Sequence, residues 1–116
     1  MKENVILEKS YALALAVISL CRELQMKQHE YVLSRQLMKS GTSVGANVEE
    51  AQAGQSRADF LSKMSVAAKE ARETHYWLRL IRDSKLTDEK TVAPVLHLTE
   101  EVRRILTAIV KSTAES

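Results

Sequence analysis

Between Leu33 and Ala51, apolar or very small residues recur in steps of three and four: Leu33, Leu37, Gly41, Val44, Val48 and Ala51. That period is helical, yet the run holds Gly41 and, one turn on, Gly45. A glycine inside a helix costs roughly 1 kcal/mol against alanine. Chains accept it where another backbone comes close or where the helix bends. A second row, Gln36, Ser40, Ser43, Asn47 and Glu50, keeps the same spacing beside the first. The segment therefore predicts a helix that packs tightly on one side and offers hydrogen-bonding groups on the next. This is a signal for packing and assembly, not for catalysis.

What the rest of the chain lacks sets the fold class. One proline, three glycines and 4% aromatic residues leave little turn or strand chemistry, while good helix formers dominate. A chain of 116 residues fits a single domain, expected over residues 1–116, and can bury roughly two-thirds of its unfolded surface. The net charge of +2 sets up no global field toward a polyanion, so any such binding needs a local gathering of Lys and Arg. Cys21 stands alone in an apolar run, which rules out an internal disulfide and suits a reducing cytoplasm. The apolar stretch from Tyr11 to Cys21 is too short to span a membrane, which needs about 20 residues. Glu3 and Glu8 before it are foreign to a signal peptide. A soluble, cytoplasmic, unprocessed chain is expected.

Four periodic segments are separated by three short breaks. The first runs from about Asn4 to Lys27, with Ile6, Leu7, Tyr11, Ala14, Val17, Ile18, Cys21 and Leu24 expected inward. Leu13, Leu15 and Leu20 fall on its other faces, so this helix is apolar more than halfway round. A monomeric bundle does not require that, and the surplus points to burial against another subunit. The second runs from about Glu30 to Ala53 and stops at Gly54. Ser56 and Asp59 then form a capping-box pattern for the third. That helix carries Phe60, Met64, Ala67, Ala71, Thr74, Leu78 and Ile81 on one stripe as far as Asp83. The fourth is expected to start near Thr87 or Thr91, because Pro94 fits a first turn. It buries Val95, Leu98, Val102, Ile105, Leu106 and Ile109 before ending near Thr113. Short breaks between long helices force antiparallel neighbours. The predicted fold is all-α, an up-down-up-down four-helix bundle.

Catalytic and metal chemistry find no foothold. Di-iron bundles need Glu-x-x-His pairs, and none occurs. His29, His75 and His97 stand on three segments without a ligand partner at helical spacing. There is no phosphate loop, no nucleophile elbow and no Cys-His pairing. No cofactor, small-molecule substrate or enzyme activity is implied.

Two constellations remain. An antiparallel register estimated from the tight turn after Gly54 sets Asn47 near Met64 and Glu50 near Leu61, with Lys63 in reach. It sets Gly41 and Ser43 near Lys69 and Glu70. That allows a polar seam, Lys63 to Glu50 and Glu70 to Ser43, whose work would be to hold register. The same residues also serve as solvated charges worth a few tenths of a kcal/mol each. The third helix further aligns Lys69, Arg72, Tyr76, Arg79 and Arg82 on one broad face beside His75. Cations at turn spacing with an aromatic ring can follow a phosphate backbone and stack a base. Glu73 and Asp83 dilute that face, which also suits a merely solvated stripe. Arg103, Arg104 and Lys111 of the last helix could extend it.

The run Ser40-Gly41-Thr42-Ser43-Val44-Gly45-Ala46-Asn47-Val48-Glu49-Glu50-Ala51 is followed by Ser56-Arg57-Ala58-Asp59-Phe60-Leu61-Ser62-Lys63. With Lys69-Glu70-Ala71-Arg72-Glu73-Thr74-His75-Tyr76-Trp77-Leu78-Arg79-Leu80, it resembles the small bacterial "four helix bundle protein" family. That family includes proteins encoded in intervening sequences of large-subunit ribosomal RNA genes. The resemblance covers about Tyr31 to Ile109. More distantly, the family is similar to accessory proteins of diversity-generating retroelements, which assemble as barrel-shaped homopentamers and engage nucleic acid through a basic surface. The resemblance implies a helical bundle and a homopentamer. It marks Ser43, Asn47, Glu50, Asp59, Lys63, Glu70, Glu73 and Trp77 as signature residues, which with Gly41 and Gly45 are read as structural and interfacial.

The functional expectation is a non-enzymatic, oligomeric four-helix bundle of unresolved cellular role, with the basic face of its third helix a candidate site for RNA or DNA. The alternative is a protein-interaction scaffold whose partner docks on the assembled ring, without nucleic acid.

Overall fold

The computed structural model describes residues 2–116, with side chains from Val5 onward. Four helices account for nearly all of it: α1 (Lys2–Gln28), α2 (Val32–Gln52), α3 (Arg57–Asp83) and α4 (Glu89–Glu115). At 1.5 Å per residue, helices of this length span roughly 40 Å, and the bundle measures 46 × 19 × 19 Å. Each helix packs on the next and α4 closes back on α1, while diagonal backbones stay apart. The all-α, up-down-up-down expectation is met.

Local chemistry explains the boundaries. Ser56 caps α3 as predicted, its hydroxyl accepting from the Asp59 backbone N–H at 3.0 Å. The other starts differ from expectation. At α2 the carboxylate of Glu30 accepts from the backbone N–H groups of Val32, Leu33 and Ser34 at 2.8–3.0 Å. Glu30 therefore lies outside the helix and satisfies its orphan donors. His29, in the left-handed region at φ 54, makes the turn before it. At α4 the cap is Asp88 rather than either threonine, accepting from the N–H of Thr91 at 2.9 Å. Pro94 consequently sits in the second turn, exposed to solvent.

The glycines of α2 lie against α1. A Cβ on Gly41 would stand 2.7 Å from a Val17 methyl, and one on Gly45 would stand 3.3 Å from the Ser10 carbonyl oxygen. Close approach is thus the reason for both, and it corrects the inward face of α1. Ser10, small and buried, takes the position facing Gly45. Ile6, Leu13, Val17, Leu20, Cys21 and Leu24 fill the core around it. Tyr11, expected inward, is turned out and is 63% exposed. Leu13 and Leu20, assigned to other faces, are buried. In α4, Val92, Leu96 and Thr99 join the core, while Leu98 and Ile105 are only partly covered.

The α2–α3 register differs from the turn-based estimate by less than one helical turn. Thr74 faces Ser40, their hydroxyls 3.0 Å apart in the core, and Lys63 reaches Glu50 at 3.3 Å. The buried polar contact between these helices is therefore Ser40–Thr74. Ser43 and Glu70 do not pair. The Asn47 amide donates to the Ser43 carbonyl of its own helix at 2.9 Å, and Glu70 offers its backbone carbonyl to Thr74 at 2.8 Å.

Candidate nucleic-acid interface

Antiparallel packing of α3 on α4 sets His75 level with Glu100, Nε2 to Oε1 at 4.0 Å. From that anchor, Arg72 lies one turn back along α3 and Arg79 and Arg82 one and two turns on, a row roughly 15 Å long from its first residue to its last. Arg103, one turn beyond Glu100 on α4, comes near enough to His75 to depress its basicity, as Arg79 and Arg82 also do. Arg104 holds the other oxygen of Glu100 at 3.7 Å. Two helices thus build one cationic cleft. Its membership depends on a long-range register, which is why the third helix alone revealed only half of it.

The sequence-predicted residues divide on inspection. Arg82 is paired with Asp83, Nε to Oδ1 at 2.7 Å, so much of its charge is already answered. Lys69, Arg72 and Arg79 have no carboxylate partner among the described residues. Lys69 points to solvent. Tyr76 is 47% exposed on the outer side of α3. It packs edge-on against Trp77 with ring centroids 5.2 Å apart, and the Arg79 guanidinium lies 5.8 Å from its ring centre. An exposed tyrosine braced by a tryptophan and flanked by arginine is a platform of the kind on which a base stacks.

The charges of the cleft act on His75. Burial, then the charges of Arg79, Arg103 and Arg82, hold His75 below its ordinary range, with Glu100 opposing them. The Nε of Arg103 is fully buried and has no hydrogen-bond partner. A buried donor left unmet costs about 1–3 kcal/mol.

The signature residues lie elsewhere. Gly41 and Gly45 form the α1–α2 seam, and Asp59 supplies the N–H that Ser56 caps. Lys63 and Glu50 pair at the exposed α2–α3 edge. Glu73 accepts from the Trp77 indole N–H at 3.3 Å, and Ser43, Asn47 and Glu70 line the half-buried flank of the same packing. Outside that flank, Tyr11, Ala14, Thr42, Gly45, Ala46 and Glu49 border a mostly apolar groove of about 290 Å3 between α1 and α2. Cys21 is buried and donates to the Ser34 carbonyl at 3.2 Å. Burial pushes its thiol up to about 11, which marks a packing residue rather than a reactive one.

Among the described residues no group of His, Cys, Asp and Glu is arranged to hold a metal ion, and no helix is long and apolar enough to cross a membrane. Fold and cleft together define a small antiparallel helical bundle with one cationic flank. The chain belongs to the 23S rRNA-intervening sequence protein family, whose model matches residues 2–108. It is similar to a protein of unknown function from the S23 ribosomal protein family of Bacteroides thetaiotaomicron, known from a crystal structure. The two are 40% identical with a TM-score of 0.92, over 96% of this chain and 99% of that one. No match is found among curated proteins.

Proposed function

We propose that this protein is an oligomeric, non-enzymatic bundle that binds an RNA or DNA strand in the α3–α4 cleft. The observation that carries the reading is that Arg79 from α3 and Arg103 from α4 both lie close enough to act on His75, with Arg72 one turn behind it on α3. None of the three is neutralised by a carboxylate among the described residues. Tyr76 adds a ring that can stack a base. A net charge of +2 per chain is modest, and repetition of the cleft in an oligomer offsets this, since linked weak sites gain through effective concentration.

Self-association is supported by the outer face of α1, where Tyr11 and Leu15 are 63% and 54% exposed beside the apolar α1–α2 groove. A homopentamer is the assembly we favour, by resemblance. That same groove supports the second reading, a scaffold that docks a protein partner without nucleic acid.

Binding of a labelled single-stranded oligonucleotide at about 50 mM salt tests the proposal. Wild type is expected to bind, and R72Q/R79Q is expected to bind more weakly while melting at the same temperature. Absence of binding by the wild type refutes the cleft reading. Full binding by the double variant moves the site off α3. Light scattering that returns a monomer mass, 13.0 kDa, refutes the oligomer.

A further inference from the structure

Glu100 lies where an anion would be expected. Its carboxylate is set between His75, at 4.0 Å, and Arg104, at 3.7 Å, in a cleft that Arg79, Arg82 and Arg103 also border; the other acids at its Arg82 end are Glu89 and Asp83. Its contacts are long for ion pairs, since charge-assisted hydrogen bonds run about 2.7–2.9 Å. Glu100 therefore neutralises the cleft only loosely. It leaves the Arg103 Nε without a partner, and its own side chain is 39% exposed, free to swing out.

We propose that Glu100 is a displaceable stand-in for phosphate: a phosphodiester of the bound strand takes its place among Arg79, Arg103 and His75, and His75 gains a proton from solvent as it does so. This rests on the nucleic-acid reading above and adds to it a defined phosphate subsite with a pH response. In the free protein, burial and the arginines keep the imidazole neutral near pH 7. The groups facing it come from both helices. On its own helix these are Arg79 and Arg82, with Arg72 a turn behind; across the cleft they are Glu100, Arg103 and Arg104, with the exposed His97 a turn farther along α4. The phosphate replaces a carboxylate that stands off at 4.0 Å with an anion in hydrogen-bonding reach of the imidazole, and so favours its protonated form. The complex then holds more protons than its parts, so binding strengthens as pH falls from about 8 to about 6.

Fluorescence anisotropy with a labelled oligothymidylate, at fixed ionic strength, reads this out. Wild type should bind about three- to tenfold more tightly at about pH 6 than at about pH 8, the gain available from a shift of up to one pKa unit. H75Q should lose that dependence, and H97Q should keep it. E100Q, freed of the competing carboxylate, should bind several-fold more tightly than wild type at the higher pH. As a second readout on the wild type, NMR titration of the His75 ring should show its midpoint rise when the oligonucleotide is added. A pH-independent affinity, a slope that survives H75Q, weaker binding by E100Q or an unmoved midpoint each overturns the phosphate subsite while leaving the nucleic-acid reading in place. No binding of the oligonucleotide at either pH overturns both.

Discussion

The α1–α2 seam and the α3–α4 cleft are opposite solutions to the packing of two long helices. At the seam, Gly41 and Gly45 remove side chains so that Val17 and the Ser10 backbone come within van der Waals distance. At the cleft, His75 lies beside α4 with Arg79, Arg82 and Arg103 close enough to act on it, and one nitrogen of Arg103 is buried without a partner. The first arrangement satisfies itself and needs nothing from outside. The second leaves charge and a donor unanswered. Residues that close a gap between helices are thus read as structure, and residues that leave one open as candidates for function.

The largest effect should come from filling the seam. Gly41→Leu puts a side chain into Val17, which is fully buried, and should cost about 3 kcal/mol or more, at or beyond the upper end of over-packing penalties. Gly45→Leu meets the Ser10 carbonyl and, less closely, its hydroxyl, and opens onto the outer groove, so about 1–3 kcal/mol is expected. Urea denaturation of the pair ranks them. A larger destabilisation at Gly45 would mean that the tighter approach is at that glycine and not at Gly41.

A smaller effect, of about 1–2 kcal/mol, is expected for Thr74→Val, which leaves the buried Ser40 hydroxyl without its cross-helix partner. Removing both hydroxyls, as S40A/T74V, should recover part of that stability. Strict additivity in the double-mutant cycle would deny that the two are coupled.

The cleft has a stability signature as well. The folded state holds His75 below its ordinary value, so the unfolded chain takes up a proton first as pH falls. The stability this provides is complete above the unfolded value of about 6.5 and is lost as pH drops through it toward the folded value. Midpoint denaturant concentrations between neutral and mildly acidic pH should decline less steeply in H75Q than in wild type. Equal slopes would count against a desolvated His75.

The smallest effect belongs to the Lys63–Glu50 pair. Both side chains are well exposed, and Lys63→Ala should cost no more than about 1 kcal/mol. A larger cost would promote this edge from solvated charge to a true α2–α3 clamp.

The glycines of the seam and the cations of the cleft were both legible in the sequence, but the partners they meet were not, for a physical reason. Helix period, the two glycines and the Ser56–Asp59 cap are local signals, each set by residues within a turn or two of one another. Tyr11 escaped because its fate depends on how closely α2 approaches, which makes Ser10 the inward residue instead. The Glu30 cap escaped because a glutamate two positions before the helix uses its length to fold back, a geometry that no short-range preference announces. Asp88 displaced both threonines as the cap of α4, and Pro94 misled because it is tolerated one turn deeper than its preferred place. The pairing of α3 arginines with Arg103 and Glu100 depends on the α3–α4 register, as Ser40–Thr74 depends on that of α2–α3. A short loop constrains such registers only to within about a turn.

The salt dependence of oligonucleotide binding speaks most directly to the claim that the open cleft is the functional surface. Phosphate contacts release counterions, and on a single strand each contributes about 0.7 to the slope of log affinity against log salt. Wild type should show a steep negative slope. R72Q/R79Q should lower it by about 0.7 for each phosphate that the two arginines no longer hold, with an unchanged melting temperature. A double variant with the wild-type slope and affinity would contradict the account.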